Sequence, residues 1–188
     1  MQRLKRRGPE MQNEELKQLV RTIPDYPKPG IMFRDVTSLI SHGRGFRAVI
    51  ANMAEPYLEK GIEAVVGIEA RGFILGGAIA DKLGVGFVPV RKKGKLPHDT
   101  ISETYVLEYG TDELEIHKDA INHGERVLII DDLIATGGTA EAAAKLVRAL
   151  GGHIVGAAFI VDLPALGGCK KIEADNIPCH CLMEFEGD

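Results

Sequence analysis

The chain has 188 residues, 45% of them hydrophobic, and a formal net charge of −4. That length suits one domain with one core, and the composition excludes a disordered chain. A negative chain is no general binder of nucleic acid, so an anionic ligand has to be met by a local basic patch. In chain order, the opening MQRLKRRG is basic and lacks the apolar run that a secretory signal carries after its charges. Residues 1–12 are expected to be a flexible tail, with Met11 an alternative start. NEELKQLVRTI (13–23) reads as a short amphipathic helix, and the three prolines of residues 24–35 predict extended or turn-like backbone. Phe46, Val49, Ile50, Met53, Tyr57 and Leu58 stand at helical spacing, with Pro56 kinking or shortening that helix.

From residue 63 the pattern alternates. EAVVGIEA (63–70) predicts a strand, GFILGGAIADKLG (72–84) a small-residue helix with a glycine cap, and VGFVPVRK (85–92) a second strand. Further on, RVLIIDD (126–132) reads as a strand, residues 138–152 as a helix and HIVGAAFIVD (153–162) as a strand. Apolar strands joined through helices imply a parallel sheet buried on both faces. The fold class is therefore α/β, a central parallel β-sheet flanked by helices. In such sheets ligands bind at the carboxyl ends of the strands. That places Glu69–Gly72, Arg91–Lys95, Asp131–Thr139 and Asp162–Leu166 on one rim. Residues 92–121 interrupt the alternation with a polar, initially basic excursion. Within it SETYVLEYG and ELEIHKD read as two strands joined by Gly110–Asp112, forming a lid, an edge hairpin or both.

The stretch VLIIDDLIATGGT (127–139) carries the chemistry. A helix N-terminus offers unpaired N–H groups and partial positive charge. Gly137 and Gly138 let the backbone approach a ligand, and Thr136 and Thr139 add hydroxyls. Such a loop suits a terminal phosphate. It lacks the lysine that follows a nucleoside-triphosphate loop, so a phosphomonoester fits better. Asp131 and Asp132 precede the loop by about 10–15 Å of extended chain, at about 3.3 Å per residue, which folding shortens to the width of a sugar. Carboxylates accept hydrogen bonds from vicinal hydroxyls. The stretch thus reads as a ribose-5-phosphate site; the plainer alternative is an acidic turn followed by a glycine-containing helix start.

Three cysteines, Cys169, Cys179 and Cys181, do not make a disulfide framework, and a reducing cytoplasm is the expected setting. Cys-His-Cys at 179–181 invites a metal reading, but no second ligand pair stands at a usual zinc spacing. The plainer reading is a late strand over IPCHCLMEF (177–185). No apolar run approaches the roughly 20 residues of a membrane span.

The 127–139 stretch resembles the signature of the type I phosphoribosyltransferases. DYPKPGIMFRDVTSLI, GIEARGFILGGAIA, VRKKGKLPHDTISETYVLEYGTDELEIHKDAI and FIVDLPALGG resemble, in the same order, segments of the adenine phosphoribosyltransferase family, over roughly residues 13–185. The resemblance implies one phosphoribosyltransferase domain across 1–188, with an N-terminal hood over 24–40 and a flexible lid hairpin over 92–110. It implies transfer of a phosphoribosyl group from its pyrophosphate to adenine, giving AMP. Mg2+ would be carried mainly by pyrophosphate, ribose hydroxyls and water, with no dedicated protein ligands. A cytoplasmic homodimer that binds neither nucleic acid nor membrane is expected.

Residue by residue, the resemblance assigns the 5-phosphate to Ala135, Thr136, Gly137, Gly138 and Thr139, and the ribose hydroxyls to Asp131 and Asp132. Pyrophosphate falls to Arg71 and Lys92, with Arg91 and Lys95 beside them. Met32 and Arg34 would offer backbone groups to the adenine edge, and Phe33 and Leu163 would sandwich the ring. Glu108 would manage the proton at purine N7, and Tyr109 would pack in the lid. Glu108, Arg71 and Lys92 are the expected catalytic residues. The basic extension, His98 and Met32 depart from the family pattern. A 6-oxopurine or xanthine enzyme, or a sensor of phosphoribosyl pyrophosphate, are the competing readings.

Overall fold

The computed structural model describes residues 11–107 and 110–187. They form two compact units that divide between Val49 and Ile50. The first holds α1 (Asn13–Lys17), β1 (Arg21–Pro24), β2 (Met32–Asp35) and α2 (Thr37–Ser41). The helix expected over 13–23 stops at Lys17. Thr22 and Ile23 are β-branched, which favours extended backbone, and β1 pairs antiparallel with β2, Arg21 opposite Asp35 and Pro24 opposite Met32. The ladder over β1 satisfies backbone groups that a longer helix would otherwise have paired. Leu16 and Leu39 are fully buried. The helix α3 (Gly43–Ala54) begins in this unit and ends in the next, and Pro56 falls in a 3-10 turn, Glu55–Tyr57, directly after it.

The second unit contains β3 (Ala64–Ile68), α4 (Arg71–Leu83), β4 (Gly86–Lys92), β5 (Thr100–Leu107), β6 (Gly110–His117), β7 (Arg126–Ile130), β8 (Leu133–Ile134), α5 (Gly138–Ala149), β9 (His153–Asp162), a 3-10 turn Pro164–Leu166, α6 (Gly168–Ala174) and β10 (Cys179–Glu184). The strands run in the order β10-β9-β7-β3-β4-β6-β5, with β8 also beside β9. From β10 to β4 all neighbours are parallel. Every residue of β3 is buried, as a strand covered by helices on both faces requires.

The expected edge hairpin forms, and two other expectations change. The sheet is mixed at one edge, because β6 joins β4 antiparallel through Arg91 opposite Glu115 and Lys92 opposite Leu114. Gly110–Asp112, read as the turn of the excursion, belong to β6, with Leu107 opposite Gly110. The second change concerns the cysteines. Cys169 and Cys179 form a disulfide, with Cα atoms 5.8 Å apart, because α6 and β10 bring together residues whose pairing the sequence alone did not suggest.

The start of α5 packs inward through small side chains, Ala140, Ala143 and Ala144, and Ala142, Leu146 and Val147 are buried as well. Small residues let the helix lie close to β9 and β7 and so carry its first turn to the strand ends. Among the described residues no helix is long and apolar enough to cross a membrane.

Candidate functional site

The chain leaves β7 at Ile130 and runs straight into Asp131 and Asp132. Both are fixed by backbone: Asp131 N–H donates to Ala158 O at 3.2 Å, while Asp132 O accepts from Ile160 and Val161 N–H at 3.0 and 3.1 Å. Asp132 N–H donates to the Asp131 carboxylate at 2.8 Å. After the two residues of β8 the chain turns at Gly137, whose φ of +79° is a conformation that a side chain resists. From there α5 starts. The loop and the acids line one cavity of about 270 Å³, together with Glu69, Ala70, Arg71, Tyr105 and Phe159. The first N–H groups of α5 have no intrahelical partners, and they carry the positive end of the helix dipole.

Arg71 opens α4 and donates from Nε to Asp132 Oδ2 at 2.5 Å. Its side chain is 43% exposed, against 7% for that of Asp132. One cationic group thus stands between the acid pair and solvent. Burial first, and then the Asp132 carboxylate, push Asp131 well above its ordinary value of 3.8. A carboxyl raised on folding gives its full stability below the unfolded value and loses it as pH rises through the folded value. At neutral pH Asp131 therefore costs folding stability. Asp131→Asn is expected to raise Tm at pH 7, by about 2–4 °C for each kcal/mol recovered, with the gain shrinking toward about pH 4. Thermal melts at the two pH values check this; a lower Tm at pH 7 would show that cationic partners outweigh burial.

Of the other basic residues at the rim, Arg91 and Lys92 are held by acids. Arg91 donates from Nε to Glu69 Oε2 at 2.7 Å and lies over the Phe73 ring, 5.8 Å from its centroid. Lys92 pairs with Asp112 at 2.8 Å, an interaction that raises the Lys92 pKa, first through its hydrogen bond and then through charge. Lys95 presents its backbone N–H to Glu115 at 3.0 Å. Arg91, Lys92 and Lys95 stand at the base of the excursion, as expected, but do not line the 270 Å³ cavity. Leu163 is buried after β9, its N–H bound to Ile134 O at 3.1 Å. In the first unit Phe33 meets Tyr26 edge to face at 5.2 Å, Arg34 donates to Thr22 Oγ1 at 2.6 Å, and Met32 is exposed. Glu108 and Tyr109 lie outside the described residues.

Three residues of the site had no role read for them in the sequence, Glu69 among them although its strand end put it on the rim. Tyr105 enters the cavity from β5, its hydroxyl 3.3 Å from Asp112 Oδ2 and also hydrogen-bonded to the Thr139 side chain. Strand alternation was the available signal: Glu103, two residues back, faces Lys145 of α5 at 3.2 Å, so this face of β5 is turned to α5. Glu69 is the partner of Arg91 already described. Gly168 is the third. Its N–H donates to Ala135 O at 2.9 Å, and a Cβ there would stand 2.3 Å from that oxygen and 2.8 Å from Gly137 N. The 135–137 segment rests directly on it.

The acids also bear on a metal. Mg2+ prefers oxygen donors, keeps several waters and is bound through one or two carboxylates plus substrate phosphates. Asp131 and Asp132 offer such oxygens beside the helix start, and a dication would favour the charged form that burial opposes at Asp131. The donor set fits Mg2+ in that partial role.

Residues 35–182 match the phosphoribosyl transferase domain. Over 173 residues the chain is 61% identical to the adenine phosphoribosyltransferase of Brucella ovis, covering 92% of this chain and 96% of that one. The crystal structure of adenine phosphoribosyltransferase from Rhodothermus marinus is 54% identical and superposes with a TM-score of 0.87, covering 92% of this chain and 98% of that one. The Saccharomyces cerevisiae enzyme, solved with an imino-altritol bisphosphate and adenine, is 40% identical with a TM-score of 0.85, covering 91% and 98%.

Proposed function

This chain belongs to the phosphoribosyl transferase family, among its adenine phosphoribosyltransferases, and from that premise we propose how its residues join adenine to 5-phosphoribosyl 1-pyrophosphate to give AMP and pyrophosphate. The observation that carries the proposal is the single cavity in which the 135–139 loop, the acid pair and Arg71 meet. The loop and the start of α5 hold the 5-phosphate through backbone N–H groups and the hydroxyls of Thr136 and Thr139. Asp131 and Asp132 accept hydrogen bonds from the ribose hydroxyls. The sugar is thereby anchored at one end, with C1′ directed toward the rim.

In the reaction the C1′–oxygen bond to pyrophosphate breaks, the N9–C1′ bond forms and the N9 proton leaves. Charge builds as a cation on the sugar and as anion on the leaving group, as in glycoside cleavage. Arg71 and Lys92 stabilise the departing pyrophosphate, with Arg91 and Lys95 supporting them. Lys92 makes this contact by exchanging its partner Asp112 for phosphate oxygen. When bound, Mg2+ would supply additional charge neutralisation on the pyrophosphate. The lid over 92–110 excludes water that would capture the sugar cation. Glu108 holds the purine N7 proton, and Tyr109 packs in the closed lid. Residues 24–40 form the hood: Met32 and Arg34 read the adenine edge through backbone groups, and Phe33 and Leu163 enclose the ring. The chain acts as one phosphoribosyltransferase domain, as a homodimer in the cytoplasm, serving purine salvage without nucleic acid or membrane.

One assay panel tests the substrate reading. Purified chain with phosphoribosyl pyrophosphate and Mg2+ is offered adenine, hypoxanthine, guanine, xanthine and orotate separately, with nucleotide and pyrophosphate measured. AMP from adenine alone is the expected result; equal turnover of a 6-oxopurine would break the hood assignment. The role of Glu108 has its own test. Glu108→Ala is expected to lower kcat by the 100- to 10,000-fold order typical of a lost acid–base group, with about unchanged KM for phosphoribosyl pyrophosphate. Retained kcat would remove Glu108 from the chemistry.

A further inference from the structure

The chain's three cysteines converge where α6 meets β10. Cys179 and Cys181 are two residues apart on a strand and so share a face. His180, between them, points the other way and meets the Tyr57 ring at 6.5 Å. Cys169, near the start of α6, completes the group from the neighbouring element. Cys169 and Cys179 are joined as a disulfide, and the Cys181 sulfur lies 3.5 Å from that of Cys169 and 4.0 Å from that of Cys179. All three sulfurs lie within 4.8 Å of one another. They pack against the core yet are only half-buried, so a solute can reach them.

We propose that in the reduced chain Cys169, Cys179 and Cys181 form a three-thiolate site for a thiophilic d10 cation, of the Zn2+ or Cu+ class. The ligand chemistry selects the class, since thiolates prefer soft and borderline cations over Mg2+. The spacing suits it. Zinc–sulfur bonds of about 2.3 Å in a tetrahedral arrangement separate the sulfurs by about 3.8 Å. The two non-bonded separations, 3.5 and 4.0 Å, bracket that span. Reduction frees the third pair to open to the same span. Charge also favours a cation, because the carboxylates of Asp162, Glu173 and Glu184 act on Cys181. Asp162 Oδ1 is buried without a hydrogen-bond partner among the described residues. The Cys-His-Cys segment lacked a second ligand source in the sequence; α6 supplies it. Three sulfurs fill a trigonal Cu+ site and leave one position of a tetrahedral Zn2+ site for water.

This site is separate from the Mg2+ chemistry of the rim, but it is not remote from it. Cys169 follows Gly168, whose N–H holds Ala135 O of the phosphate loop. A bound ion would tie α6 to β10 behind that loop, as the disulfide does in the oxidised chain.

The test uses the full chain. A trialkylphosphine and water convert the Cys169–Cys179 bond to two thiols, the phosphine leaving as its oxide. After anaerobic removal of reagent, the reduced chain is titrated with Co2+, the spectroscopic stand-in for Zn2+. Binding replaces one proton per thiol with the metal. One Co2+ per chain with sulfur-to-cobalt charge-transfer absorption is expected, displaced by Zn2+. A parallel arm measures Cu+ against a chromogenic chelator. Cys181→Ser, which leaves the disulfide pair intact, should weaken binding by more than the 10- to 100-fold that loss of an outer partner costs. His180→Ala should leave it unchanged. Binding of either cation that depends on Cys181 and disappears on oxidation supports the site. No thiolate binding of either cation by folded, reduced chain, or equal affinity in Cys181→Ser, overturns it.

Discussion

Gly168→Ala is expected to cripple the use of phosphoribosyl pyrophosphate although residue 168 need not touch substrate. The added methyl would meet Ala135 O at 2.3 Å, the Ile134 side chain at 2.7 Å and Gly137 N at 2.8 Å. Two of these neighbours are backbone atoms of the phosphate loop, so no rotation of a side chain relieves the contact. Either α6 moves away or the loop does. Gly137 has little freedom to yield, because it already sits at positive φ, with Gly168 O 3.0 Å from where its own Cβ would be. Overpacking of this kind costs about 1–3 kcal/mol. If that cost falls on loop geometry, the affinity for phosphoribosyl pyrophosphate drops by a factor of roughly 5 to 150. Initial-rate measurements should find the loss in KM for that substrate, with KM for adenine nearly unchanged. An equal loss in both would mean that the whole unit had softened, and thermal melting would register it.

The second large effect belongs to Arg71. Arg71→Ala removes a group assigned to the pyrophosphate and leaves Asp132, 5% exposed, without its ion-pair partner. Truncating one member of a buried, hydrogen-bonded charge pair typically costs about 2–5 kcal/mol. Arg71 is itself partly solvated, which places the expected loss near the lower end, about 2–3 kcal/mol or roughly 30- to 150-fold in kcat/KM for phosphoribosyl pyrophosphate. Arg71→Lys keeps the charge but loses the planar fork, and should recover only part of the activity. If both variants match the parent in kcat/KM, Arg71 serves Asp132 alone.

The sequence disclosed what is local and periodic. The strands over 64–68, 86–92, 126–130 and 153–162, and the helix ending at Gly84, follow from apolar runs and a terminal glycine. The acid pair and the glycine loop were legible because nine consecutive residues, Asp131–Thr139, bring them to one strand end. What escaped depends on partners distant in sequence. Residues 21–24 look helical until residues 32–35 arrive beside them. Arg71 and Asp132 are 61 positions apart. Gly168 reads as half of an ordinary Gly-Gly until the loop at 135–137 is packed on it. Cys169 and Cys179 gave no pairing signal, since the approach of α6 to β10 is a property of the sheet's far edge. Tyr105 was hidden differently: a polar hairpin suggests a solvated excursion, yet one face of β5 is turned to α5.

The alanines on the inner face of α5 give the enzyme a ruler. In the proposed function the phosphate lies at the mouth of the helix and the ribose at the end of a strand beneath it. The gap between those two anchors is the thickness of whatever side chains separate helix from sheet. With methyl groups at 140, 143 and 144, that layer is thin at the start of the helix. The length of ligand the enzyme accepts is thus gauged by side chains that need never meet it. A lineage wanting to bind a longer sugar phosphate could begin with the volume under α5 and leave the acids and the loop as they are.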